Sequence, residues 1–137
     1  MRFLMMVKSA ENAGPPPDEL MEAIAKLSQG GLQSGKMIQT GGLAPTSAST
    51  RVRISGGSLN VMDGPFTETK EVVGGYAIME FASRAEAVES AKQFMDLHRK
   101  YWPGWEGETE IRQMFTAEDY QSQCGKFQLK AGAVSER

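Results

Sequence analysis

His98 is the one histidine in the chain, and so the one side chain whose ordinary pKa lets it both take and give a proton near neutral pH. It lies in a helical run between Phe94/Met95 and Tyr101/Trp102. At 100° per residue its ring falls about 20° from Ala87, inside the apolar arc. An imidazole there needs a hydrogen-bond partner. It reads either as a general acid/base facing a cavity or as a structural histidine near a helix C-terminus, where the dipole favours it. Asp63 ends a strand, where a carboxylate can orient a base or bind a cation. Asp63-Gly64 is equally a common turn pair, whose carboxylate bonds backbone amides. Tyr76 offers a phenolic proton, or a hydroxyl satisfied in a core or interface. His98, Asp63 and Tyr76 are therefore the candidate catalytic set, and cooperation between His98 and Asp63 requires that those two share one pocket. Phe66, Arg51 and Arg53 are the candidate ligand-binding residues. The guanidinium groups suit an anion, and Phe66 plugs apolar surface beside the turn.

Other chemistries lack their residues. One histidine and one cysteine, Cys124, provide no transition-metal spacing and no internal disulfide. The glycine pairs fit neither GxxxxGK[ST] nor GxGxxG, and no nucleophile elbow is present. No metal and no cofactor is expected. Lys plus Arg is 15 against 17 Asp plus Glu, a net charge of −2. That balance leaves no electrostatic footprint for nucleic acid or an anionic membrane. No apolar run approaches the roughly 20 residues of a membrane span. The apolar stretch in the opening MRFLMMVKSA is short for a signal peptide, which makes the cytoplasm the expected location. With 40% apolar and 23% charged residues, the composition is that of a globular protein. The 137 residues make one domain.

The elements that must position these residues follow from periodicity. Phe3 to Val7 reads as a strand, apolar on both faces and hence central. Gly14-Pro15-Pro16-Pro17 makes a loop. Asp18 can cap a helix to about Ser34, with Leu20, Ile24, Leu27 and Gly31 on one stripe. A short strand over Met37 to Leu43 comes next. Arg51 to Ser55 and Leu59 to Met62 flank Gly56-Gly57-Ser58 as a hairpin with one polar and one apolar face. Val52 and Ile54 are expected to pack on protein. Val72 to Phe81 is a second strand apolar on both faces. Ser83 and Glu86 form a capping box for a helix that Pro103-Gly104 stops. Glu108 to Phe115 alternates as a last strand, with Ile111 and Phe115 inward. Residues 1–116 form the domain. Residues 117–137 read as a tail, partly helical or disordered.

Without the hairpin the order is β-α-β-β-α-β, the ferredoxin-like pattern of an α+β protein. Two helices cover one face of such a sheet. The other face is still apolar, and a second copy of the chain is the economical cover. Val73, Ala77, Met79 and Met5 are the interface candidates, with the two faces interchangeable at this level.

Met62-Asp63-Gly64-Pro65-Phe66-Thr67-Glu68-Thr69-Lys70-Glu71, followed by Gly74-Gly75-Tyr76 and an apolar strand, resembles the signature of the DGPF-domain proteins of the YCII-related group. MRFLMMVK, Gly41-Gly42-Leu43 and Glu110-Ile111-Arg112 also sit where that family has similar residues. The resemblance implies a dimeric α+β barrel of ferredoxin-like protomers. It also implies a regulatory or accessory metabolic role, since many members are encoded beside extracytoplasmic-function sigma factors. Some members carry a proposed His–Asp pair with the histidine near the first helix. Residues 18–35 contain no histidine here, so that pair does not carry over.

Three functions are compatible with these residues. One is a small-molecule-binding protein with a regulatory role. Another is a cofactor-independent enzyme using His98 with Asp63 or Tyr76 on a small organic acid or carbonyl compound. The last is an adaptor acting through its dimer surface or tail.

Overall fold

The computed structural model describes residues 1–67 and 69–124. Strand β1 is Arg2–Ser9, helix α1 Asp18–Ser34, and β2 Met37–Gly42. Strands β3, Thr50–Ser55, and β4, Ser58–Asp63, form the hairpin. Strand β5 is Val72–Glu80, helix α2 Arg84–Tyr101, strand β6 Gly107–Gln113 and helix α3 Ala117–Cys124. The main sheet has the order β2-β5-β1-β6 with every neighbour antiparallel. The two strands with apolar residues on both faces, β1 and β5, are the central ones. Setting the separate β3–β4 hairpin aside, this is the ferredoxin-like α+β topology. The expected tail begins as α3; residues 125–137, and Glu68 of the signature segment, lie outside the described residues.

Register decides which side chains face the helices. Phe3 pairs with Met79 and Met5 with Ala77, and across the other edge of β1 Met5 pairs with Ile111. Phe3, Met5, Met79 and Phe81 form the core with Ala87 and Ala91 of α2, joined by Met37, Ala77 and Ile111. Leu20 of α1 is fully buried. The interface candidates Met5, Ala77 and Met79 therefore belong to the helix-covered face. The alternate residues Leu4, Met6, Tyr76 and Ile78 occupy the other face and are half-buried. Ion pairs bracket that apolar strip. Arg2 and the Met1 ammonium meet Glu80 at 3.3 and 3.0 Å; Lys8 pairs with Glu110, which also faces Arg112 at 3.6 Å.

Local signals operate at both helices, with one correction. Ser83 Oγ accepts from the Glu86 N–H at 3.2 Å, and the Glu86 carboxylate accepts from the Ala82 N–H at 2.8 Å. That capping box fixes where α2 starts. Asp18 does not cap α1. Pro17 occupies the N-cap position and Asp18 is the first helical residue, where its charge complements the dipole. Phe115 is also not inward: β6 ends at Gln113, and Phe115 is exposed, edge-on to Tyr120.

The hairpin differs most from expectation. Val52 pairs with Val61 and Ile54 with Leu59, so all four aliphatic side chains share one face. They are 68–76% exposed, not packed on the protomer. Alternation specified a face but not what covers it. The base of the hairpin, by contrast, is wired down. Gly64 N–H donates to Ser49 O at 2.8 Å. A Cβ at Gly64 would lie 1.7 Å from Thr46 O, so only glycine fits beside that carbonyl. Replacing Gly64 with Ala is expected to cost about 2–4 kcal/mol in urea unfolding, because backbone must move. A loss under about 0.5 kcal/mol would show that the Thr46 carbonyl yields freely.

Candidate functional site

The helices do not seal onto the whole sheet. A cleft of about 1700 Å³ lies between them, lined among others by Met5 and Ala77 of the sheet and Ile24 and Leu27 of α1. At its α2 end the wall is aromatic: Phe94, His98, Trp102 and Trp105. The periodic stripe of α1 thus covers the cleft rather than filling a closed core. Such a concave, mainly apolar space is what small-molecule sites look like.

His98 is the ionisable group in that wall. It is 6% exposed. Its Nδ1 lies 3.1 Å from Phe94 O. A carbonyl only accepts, so Nδ1 carries the proton and donates, leaving Nε2 with a lone pair when the ring is neutral. The ring sits 4.7 Å from Phe94 and 4.6 Å from Trp105, centroid to centroid, and Trp105 stacks on Trp102 at 5.7 Å and 21°. Burial lowers the His98 pKa, and the bond to Phe94 O offsets this in part. Neutral imidazole is therefore the resting form at pH 7.

Two details hold the aromatic wall in place. Thr109 Oγ1 donates to Met95 Sδ at 3.1 Å and ties α2 to β6. The Trp105 ring lies over the start of β6, where a Cβ on Gly107 would come within 2.3 Å of Trp105 Cη2 and 2.7 Å of Lys8 O. Trp105 is the site residue that helical periodicity misses, since it follows the Pro103-Gly104 stop. The glycine two residues on was its sequence signal.

The other candidates stand apart from that wall. Tyr76 is among the residues lining the cleft, but alternation along β5 turns its ring to the opposite face of the sheet, over Gly41, with its Cε1 3.1 Å from where a Cβ there would be. Asp63 accepts from Thr50 Oγ1 at 2.9 Å across the hairpin base and does not line the cleft. Asp63 thus stands apart from His98, while Tyr76 borders the same cleft with its ring turned to the other face. Phe66 is buried beneath Arg51, whose guanidinium carbon is 3.7 Å from the ring centre and whose Nη2 donates to Thr69 Oγ1 at 2.9 Å. Arg53 lies exposed in β3, opposite Asn60. None of Phe66, Arg51 and Arg53 lines the cleft.

The segment around Asp63 to Phe66 instead frames the cleft from outside. Thr46 Oγ1 accepts from Phe66 N–H at 3.3 Å. The Thr46 N–H and hydroxyl both donate to the Glu11 carboxylate, at 2.5 Å each. Glu11 and Pro45 line the cleft, so this chain of bonds fixes two loops at its rim. The bonds to Thr46 hold the Glu11 pKa below its usual value.

Two outcomes follow. Gly107→Ala should displace Trp105, cost about 1–3 kcal/mol and shift tryptophan emission to the red; unchanged emission would contradict the packing. For pH, the folded His98 pKa lies below the unfolded value of about 6.5. As pH falls past 6.5 the unfolded chain binds the proton first, so the stability present above that pH is lost. The lowered carboxylates Glu11, Glu80 and Glu110 act separately, below about 4.5. The urea midpoint should therefore drop between pH 7.5 and 5.5 in the parent protein and stay level in His98→Phe. Parallel profiles would contradict the burial of the ring.

Among the described residues no helix is long and apolar enough to cross a membrane. A protein of Rhizobium meliloti (strain 1021), itself uncharacterised, is 35% identical over 75 residues, or 55% of this chain. The match spans 60% of that relative's length. The solved structure of 5-chloro-2-hydroxyhydroquinone dehydrochlorinase from Burkholderia phenoliruptrix AC1100, in complex with 2,5-dihydroxybenzoquinone, is 18% identical. It aligns over 86% of this chain and 97% of its own, with a TM-score of 0.41. A likeness of that degree carries neither fold nor chemistry across. The YCII-related domain model, in contrast, matches residues 1–94, which take in β1 to β5, α1 and the first part of α2, and the chain belongs to that family.

Proposed function

We propose that this protein binds a small organic molecule in the cleft between its sheet and helices, in a regulatory or accessory metabolic role. The observation that carries this reading is the aromatic wall with a buried, neutral histidine whose Nδ1 is already satisfied. Core packing does not require an imidazole there. A phenylalanine would fill similar space without the cost of burying a polar ring. A link to a sigma factor rests on the family resemblance alone.

A second reading is catalytic, and the free lone pair of Nε2 favours it. A neutral imidazole with a lowered pKa can take a proton from a bound substrate. That version uses His98 alone, since Asp63 does not line the cleft and the Tyr76 ring is turned to the opposite face of the sheet. The general base would act on a small organic acid or carbonyl compound without a cofactor.

The protein is also proposed to be a homodimer. Leu4, Met6, Tyr76 and Ile78 form an apolar strip, bracketed by ion pairs, that the protomer's helices do not cover. An isologous contact between two such strips buries both. The ion pairs around it supply the polar rim such interfaces have.

Two measurements test these proposals. A thermal-shift screen against a chemically varied set of small metabolites should find compounds that raise the melting temperature, about 2.7 kcal/mol of added stability at a hundredfold excess over Kd. The same ligands should lose effect in Trp105→Ala. A screen in which nothing stabilises the protein would overturn the binding reading. Sedimentation at micromolar concentration should give twice the protomer mass of 15.0 kDa, and Ile78→Lys should give the monomer. A stable monomer of the parent chain would rule out the dimer.

A further inference from the structure

The α2 end of the cleft constrains its ligand more than the rest of the cleft does. His98 Nδ1 donates to Phe94 O, so the neutral ring has one remaining hydrogen-bonding atom, and it is an acceptor. Among the described residues no fully buried side-chain nitrogen or oxygen lacks a partner. Nε2 has no hydrogen-bond partner among the described residues and therefore keeps contact with the cleft that His98 lines.

The surroundings of that lone pair are aromatic. Phe94 and Trp105 flank the ring at 4.7 and 4.6 Å, and Trp102 extends the surface beyond Trp105. Flat π-systems stack on such surfaces. Charge is remote. No arginine lines the cleft; its charged members are Glu11 on the first loop, Lys26 on α1, Lys36 before β2, and Glu86 and Glu89 on α2. All five are exposed. Strands β5 and β6 present Ala77, Met79, Thr109 and Ile111 to this side, none of them ionisable. Burial lowers the His98 pKa, and the Phe94 carbonyl partly offsets it. An anion at this end would lose water with no cation to replace it, and its lone pairs would face that of Nε2.

We infer that the cleft takes a flat, uncharged, conjugated-ring ligand bearing a hydrogen-bond donor, which stacks among Phe94, Trp102 and Trp105 and donates its O–H or N–H to His98 Nε2. The inference rests on the cleft being a binding site and adds the ligand class. It holds for a bound effector and for a substrate alike, because both readings place the donor on the same nitrogen.

Calorimetry with three matched probes tests it. 2-Naphthol offers a neutral ring with a donor, 2-methylnaphthalene the ring without one, and 2-naphthoate the ring with a negative charge. At pH 7.5 the naphthol should bind about tenfold more tightly than the hydrocarbon, as one neutral hydrogen bond allows, and the naphthoate weakest. His98→Phe keeps the aromatic wall and should erase the difference between the naphthol and the hydrocarbon. In the parent protein the naphthol preference should also fall once the pH is low enough to protonate the ring, which then has no lone pair to offer, with the hydrocarbon unaffected. This second arm needs no variant. Equal binding of the two neutral probes, tightest binding of the naphthoate, or a preference that survives His98→Phe would overturn the inference. If the varied screen yields ligands while the naphthol does not bind, the ligand class falls and the cleft reading stands. If neither yields binding, both fall.

Discussion

Ala87 and Ala91 let the first half of α2 lie directly on the sheet, against Phe3, Met79 and Phe81. Seven residues further along the same face stands His98, between Phe94 and Trp105. Side chains of that size cannot approach the strands as alanine does. One helix face therefore anchors the fold at its start and builds an aromatic wall at its end. The cleft is the space between that wall, the stripe of α1 and the sheet. Every other element of the site serves this arrangement. Thr109 holds Met95, Gly107 makes room for Trp105, and the Glu11–Thr46 bonds pin the rim.

The DGPF segment fits into the same picture as a structural part. Gly64 lets the chain pass the Thr46 carbonyl, Phe66 is buried under Arg51, and the Phe66 amide reaches Thr46. Its consequence for the cleft is indirect, through Thr46 and Glu11. A sequence signature can thus be specific without holding a reacting group. Here the Asp63 carboxylate accepts from the Thr50 hydroxyl, and the Gly64 and Phe66 amides donate to Ser49 O and Thr46 Oγ1.

Much of this is legible in the residues. Apolar residues on both faces mark β1 and β5 as central, and Ser83 with Glu86 marks where α2 starts. Periodicity also places His98 on the buried side of its helix. What periodicity does not carry is which sheet face the helices cover. Where both faces are apolar, alternation is symmetric, so Met5, Ala77 and Met79 are as good an outer set as Leu4, Met6 and Ile78. The same symmetry hides that Tyr76 lies across the sheet from His98. The exposed hairpin is opaque for a related reason: Val52 and Ile54 show that a face is apolar, and nothing local says what meets it. Trp105 escapes because it is positioned by a stop and a missing Cβ, not by a repeat.

The account depends on the state of one ring, and the chain has one histidine, so its imidazole can be read without assignment. Two-bond ¹H–¹⁵N correlation spectra of the ligand-free protein at pH 7 measure its charge and tautomer directly. A neutral ring protonated on Nδ1, with a bare Nε2, is the predicted result. A ring protonated on Nε2, or an imidazolium at that pH, would contradict the account.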